Sequence, residues 1–85
     1  MNKNDILYLI SNILGIEMDE IQMESDFRED LNCDPNDLVE LRLQLEDLLK
    51  ISDLDQEDFQ EEFENIETVQ DLFNLIEEHS NEYFD

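Results

Sequence analysis

Asp26-Phe27-Arg28-Glu29-Asp30-Leu31-Asn32-Cys33-Asp34-Pro35-Asn36-Asp37-Leu38-Val39-Glu40-Leu41 is the stretch whose reading decides the fold. It begins as a polar loop with two apolar anchors, Phe27 and Leu31, and becomes a helix at Asp34. Asp34 suits an N-cap, because its carboxylate can accept from the backbone N–H groups that a helix start leaves without partners. Pro35 suits the first helical position, where a fixed φ is pre-organised and the missing N–H has no partner to lose. Asp37 at N3 completes a reciprocal cap and places negative charge at the positive end of the helix dipole. Leu38, Val39, Leu41, Leu45, Leu48 and Leu49 then read as an inward stripe, predicting an amphipathic helix over about residues 34–50. Asp37, Glu40, Arg42, Gln44, Glu46 and Asp47 cover the other side, with Leu43 partly exposed.

Upstream, Ile6, Leu9, Ile10, Ile13 and Leu14 recur at helical spacing and predict a first helix over about residues 4–14, capped by Asn4 or Asp5. Gly15 stands where a left-handed residue would end it, with Ile16 folding back on the last turn. Between this helix and Asp34 no period is sustained. Ile16, Met18, Ile21, Met23, Phe27 and Leu31 are spaced like anchors of a long loop pinned across a core, and Phe27 and Leu31 are expected to be buried. Downstream, residues 51–55 read as a connection, and a short third helix is expected over about residues 56–63, with Phe59 and Phe63 stacked at i, i+4. Thr68 and Asp71 fit a capping box that opens a last helix over about residues 68–79, with Val69, Leu72, Phe73, Leu75 and Ile76 on its apolar side. His79 and the tail from Ser80 to Asp85 are expected to fray. The fold class is therefore all-α: one domain over residues 1–85, a four-helix bundle with three long helices and a short third.

Composition narrows the functional classes. The chain has 85 residues, 26 acidic against 4 basic, and a net charge of −22, yet 40% of its residues are hydrophobic. A helical apolar period at that content argues against disorder. Phosphate backbones are bound by Lys and Arg, so no nucleic-acid partner is expected; basic protein surfaces are the natural complement. Cys33 is the single cysteine, which excludes an intramolecular disulfide and a cysteine-based zinc site. No membrane-length apolar run and no signal-like N-terminus is present, so a cytoplasmic, monomeric protein with no membrane role is expected.

Leu14-Gly15-Ile16, Asp26-Phe27, Asp30-Leu31, Asp34, Val39-Glu40-Leu41 with Leu45-Glu46, and Thr68-Val69 with Leu72 together resemble the acyl carrier protein family, in order, from Ile6 to Ile76. In that family an Asp-Ser-Leu triplet opens the helix, and its serine carries 4′-phosphopantetheine. Here the triplet reads Asp34-Pro35-Asn36, Asn32 stands where glycine is common, and the segment from Ile51 to Phe63 is longer than in the shortest fatty-acid carriers. The segment through Phe63-Glu64-Asn65-Ile66-Glu67-Thr68-Val69 looks more like stand-alone carriers of aminoacyl or peptidyl groups. The resemblance thus implies an acyl-carrier-like bundle whose attachment position is occupied by Pro35, so that no phosphopantetheine can be attached there and no cofactor is expected. Ser11, Ser25, Ser52 and Ser80 lie outside the motif.

On this reading the chain is a non-carrying interaction, scaffold or regulatory protein related to fatty-acid, polyketide or nonribosomal-peptide carrier systems. Asp34, Asp37, Glu40, Glu46 and Asp47 would present an acidic face to a basic patch on a carrier-handling enzyme. The same face is also what so acidic a chain shows to solvent by composition alone. The alternative is an acidic interaction protein, a nucleic-acid mimic or inhibitor of a basic protein, with no link to acyl transfer. Cys33 reads as a half-buried loop thiol, since nearby carboxylates oppose the thiolate. Asp30, Asn32, Asp34 and Asn36 alternate as calcium-loop ligands do, but Pro35 and Leu41 stand where that loop needs glycine and glutamate, so no metal site is expected. One histidine, no glycine-rich phosphate loop and no nucleophile–base set argue against an enzyme, and no catalytic residue is assigned.

Overall fold

The computed structural model describes residues 3–79, and the expected fraying from Ser80 to Asp85 lies outside them. Four α-helices and one short 3₁₀ turn follow in order: α1 (Lys3–Leu14), the turn Met18–Glu20, α2 (Pro35–Leu48), α3 (Asp53–Glu64) and α4 (Val69–His79). No strand occurs among the described residues; Asp26 and Thr68 form only an isolated bridge. The all-α bundle is as expected, with differences at helix ends. Because α1 already includes Lys3, Asn4 and Asp5 lie within its first turn rather than capping it. The third helix is not short: Asp53-Leu54-Asp55, expected in the connection, forms its first turn, and its 12 residues match α1 in length. Ser52 stands at the N-cap position, its carbonyl accepting from Asp55 N–H and Gln56 N–H and its hydroxyl donating to Asp55 Oδ2 at 2.9 Å.

The ends of α1 and α2 follow one physical rule. At Gly15, φ is +69°, and the N–H groups of Gly15 and Ile16 both donate to Ser11 O, closing the turn. No atom lies within 4 Å of where a Cβ would sit, so the backbone angle alone favours glycine. At the end of α2, Lys50 takes φ +54° while Ile51 N–H donates to Glu46 O. Asn32, with φ +56°, makes the left-handed step before Cys33, where a short amide side chain tolerates what most residues avoid.

The core is built from every element. Ile6 and Ile10 of α1, Leu41, Leu45 and Leu49 from α2 and its cap, Phe59 and Phe63 of α3, and the apolar side of α4 are buried together. Phe27 is fully buried and Leu31 nearly so, as the loop-anchor reading required. On α2 the buried stripe is narrower than expected. Leu38 is half-buried, whereas Val39 and Leu48 are exposed on its two flanks, along with Leu43. A 3.6-residue period carries both neighbours of a strict i, i+3, i+7 stripe out of the contact.

The long loop is tied to α4 through the backbone. Phe27 N–H donates to Glu67 O, while Val69 N–H and Gln70 N–H, at the start of α4, donate to Ser25 O and Met23 O. Asp71 N–H donates to Thr68 Oγ1 at 3.2 Å, and Asp71 Oδ2 accepts from the N–H groups of Thr68 and Glu67, both at 3.1 Å. The helix start is thereby satisfied inside the fold. His79 is likewise held rather than frayed. Its Nε2 lies 2.6 Å from Glu62 Oε2, and its ring meets Phe59 edge-on at 5.4 Å between centroids, clasping the last turn of α4 to α3.

Candidate functional site at the start of the second helix

Asp26 organises the approach. Its Oδ1 accepts from Arg28 N–H and Glu29 N–H, and its own N–H donates to Asp30 Oδ2 at 2.7 Å. Cys33 N–H then donates to Phe27 O, which delivers the chain to Asp34 in extended conformation. Asp34 Oδ1 accepts from Asp37 N–H at 2.8 Å, and Asp37 Oδ2 accepts a longer bond of 3.3 Å from Asp34 N–H. This is the reciprocal cap that the sequence predicts. Pro35 is exposed at the first helical position with no side-chain heteroatom.

A phosphopantetheine ester needs a hydroxyl, and this helix start offers none. Among the described serines, Ser11 is buried and donates to Tyr8 O, buried Ser25 accepts from Gln22 N–H, and Ser52 donates to Asp55 Oδ2 at the start of α3. The residues at the loop therefore do not fit the group. Cys33, two residues before Pro35, is no substitute nucleophile. Burial, then the charges of Asp37 and Asp34, push its thiol up to about 11 against a smaller opposing effect of Arg28. The thiolate, the reactive form, is scarce near neutral pH. Asp30 and Asp34 are engaged with backbone N–H groups, and no cluster of three metal-ligating side chains occurs among the described residues.

The five acidic residues singled out from the sequence are not equivalent. Asp34, Glu40 and Asp47 are exposed, and Asp37 is half-buried by its capping role. Glu40 and Asp47 are spaced i, i+7, which puts both on one side of α2 with exposed Leu43 between them. Glu46 departs from the group: it is buried, and its Oε1 accepts from Arg42 Nη1 at 2.9 Å.

Beside Pro35, α2 and α3 leave a cavity of about 250 Å³. Its apolar wall is Pro35, Leu38, Val39 and Phe63, and Arg28, Arg42, Gln60 and Glu64 supply its polar side. Neither arginine was singled out by motif. Their scarcity was the available signal, since the chain has only two arginines and both meet here.

A small, acidic, all-helical bundle in which an anchored loop feeds an exposed, capped helix start is the architecture of a carrier-type domain. No protein-family model matches the chain. Curated relatives do. An acyl carrier protein of Clostridium acetobutylicum is 40% identical over 74 residues, covering 87% of this chain and 90% of the relative. One of Rubrobacter xylanophilus is 37% identical over 83 residues, covering 93% and 96%, and one of Chlamydia trachomatis is 33% identical over 79 residues with the same coverage. The chain belongs to the acyl carrier protein family. No helix among the described residues is long and apolar enough to cross a membrane.

Proposed function

We propose that this chain is a non-carrying member of the family, a monomeric single-domain interaction, scaffold or regulatory protein of an acyl- or peptidyl-carrier system rather than an enzyme. The observation that carries the reading is Pro35 at the first position of α2, where the resemblance places the modified serine. Without a nucleophilic oxygen there is no ester, and so no arm and no thioester cargo. What remains is a surface. Asp34, Asp37, Glu40 and Asp47 supply it, with Glu46 withdrawn into its pair with Arg42. Its partner is a basic patch on a carrier-handling enzyme, met by fast, salt-sensitive association.

A broad-specificity phosphopantetheinyl transferase serves as the probe of that surface. Titration calorimetry of the unaltered chain should show binding that weakens about tenfold or more between ~20 and ~200 mM salt, and Glu40→Lys with Asp47→Lys should abolish it. These substitutions are on exposed positions and should leave stability within about 0.5 kcal/mol. Binding indifferent to salt and to both reversals would contradict the acidic-face reading. Loss of transferase binding together with charge-dependent capture by a basic nucleic-acid-binding protein would favour an acidic decoy instead.

A further inference from the structure

The α1 side of α2 differs from the side that faces α3. Between α1 and the last turn of α2 runs a groove of about 480 Å³ lined by Asp5, Tyr8, Leu9, Asn12 and Leu48. Tyr8 is 59% exposed and Leu48 42%, and Leu9 is half-buried. A single exposed apolar side chain is ordinary, but here two from different helices meet around one groove. None of the chain's four basic residues lines it. Arg28 and Arg42 line the cavity beside Pro35, Lys50 stands with Ile51 and Gln56, and Lys3 places Nζ 5.8 Å from the ring centroid of Phe73 on α4. Asp5 supplies the charge in the groove, and past Tyr8 and Asn12 the surface continues to Glu17 and Asp19. This side of the bundle is thus an apolar strip between acidic ends.

We propose that the groove docks a basic amphipathic helix of a partner protein, its apolar row on Tyr8, Leu9 and Leu48 and its Lys and Arg flanks toward Asp5, Glu17 and Asp19. Charge selects the partner. Nucleic acid and anionic membranes are repelled by a net charge of −22, and a second copy of this chain brings the same charge again. Shape selects the helix. No strand occurs among the described residues, so an extended segment finds no ladder to join. Two adjacent helices do leave a furrow for a third. Asp5 to Asn12 cover two turns of α1, about 10 Å, which a docked helix meets through residues at i, i+3 or i+4, and i+7. Tyr8 is the anchor, since its ring offers a large apolar area while its hydroxyl can stay in water.

The inference uses none of Asp34, Asp37, Glu40 and Asp47 and does not require the transferase to bind, so it and the proposed function can fail separately. The test is a ¹H–¹⁵N titration of the full chain at pH 7 and about 150 mM salt with a leucine–lysine peptide of about 18 residues patterned at the helical period. One control peptide scatters the same leucines so that no apolar face forms, and another carries two central prolines. The patterned peptide should shift amides in residues 5–12 and 44–48 and bind about tenfold more tightly than either control. Tyr8→Ala with Leu48→Ala should weaken it about tenfold, whereas Tyr8→Phe, and Val39→Ala with Leu43→Ala, should leave it unchanged. All these positions except the unaltered Leu9 are exposed, and circular dichroism checks that each variant keeps its helices. Equal binding of the three peptides, shifts centred on residues 35–43 and 53–64, no binding, or indifference to Tyr8→Ala with Leu48→Ala would each overturn the site. Concentration-dependent shifts of the same amides without peptide would assign the groove to a second copy instead.

Discussion

The starts of α2 and α4 carry the same capping device in opposite surroundings. At α4, Thr68 and Asp71 exchange hydrogen bonds while the long loop receives the next N–H groups on Ser25 O and Met23 O, and Phe27 fills the core beneath. At α2, Asp34 and Asp37 exchange the same bonds, but Asp34, Pro35 and Asn36 are exposed and no other segment among the described residues donates to or accepts from the helix start. One cap is built into the fold; the other leaves a charged helix end facing outward. The same reciprocal capping pattern, with a hydroxyl acceptor at α4 and a carboxylate at α2, is therefore built into the fold at one site and left exposed at the other.

The largest expected effect breaks the α4 side. Phe27→Ala should cost about 3–5 kcal/mol, because it empties a fully buried ring site and loosens the loop that receives α4. Urea unfolding followed by circular dichroism would measure it, and a cost below about 1 kcal/mol would mean that the loop is not an anchor. Next, Thr68→Ala should cost about 1–2 kcal/mol and Asp34→Ala only about 0.5–1, since solvent can replace a cap at an exposed start and loss of one carboxylate relieves self-repulsion. Equal costs would erase the distinction between the two caps.

A smaller effect sharpens it through pH. The N–H groups of Thr68 and Glu67 hold the Asp71 carboxyl below its ordinary value of 3.8. A depressed folded-state pKa means that Asp71 contributes stability above that ordinary value and loses it as pH falls through the folded one. The thermal-midpoint gap between the unaltered chain and Asp71→Asn should therefore be full at pH 7 and narrow below about pH 4. A gap that stays constant to pH 3 would show that the charge on Asp71 is irrelevant to the cap.

Much of this contrast was legible in the sequence, because it is local. Gly15, the Asp34 and Thr68 caps and the Phe27 and Leu31 anchors each follow from a few neighbouring residues. The features that escaped depend on what a distant element covers. Glu46 is i, i+4 from Arg42, but its burial follows from how α2 lies in the bundle, and His79 finds Glu62 across 17 residues. Val39 and Leu48 look like core by hydropathy and are left on the flanks of a narrow contact. The cavity beside Pro35 joins a loop residue, Arg28, to α2 and α3, which no linear motif records.

On the function proposed above, Pro35 closes the cargo position of an otherwise intact carrier surface. The most direct test is the intact mass of the unaltered chain and of Pro35→Ser after incubation with coenzyme A and a broad-specificity phosphopantetheinyl transferase. Only Pro35→Ser should gain one phosphopantetheine, leaving the unaltered chain at its starting mass. Modification of the unaltered chain would contradict the closed position, and a Pro35→Ser chain that folds but stays unmodified would contradict the intact surface.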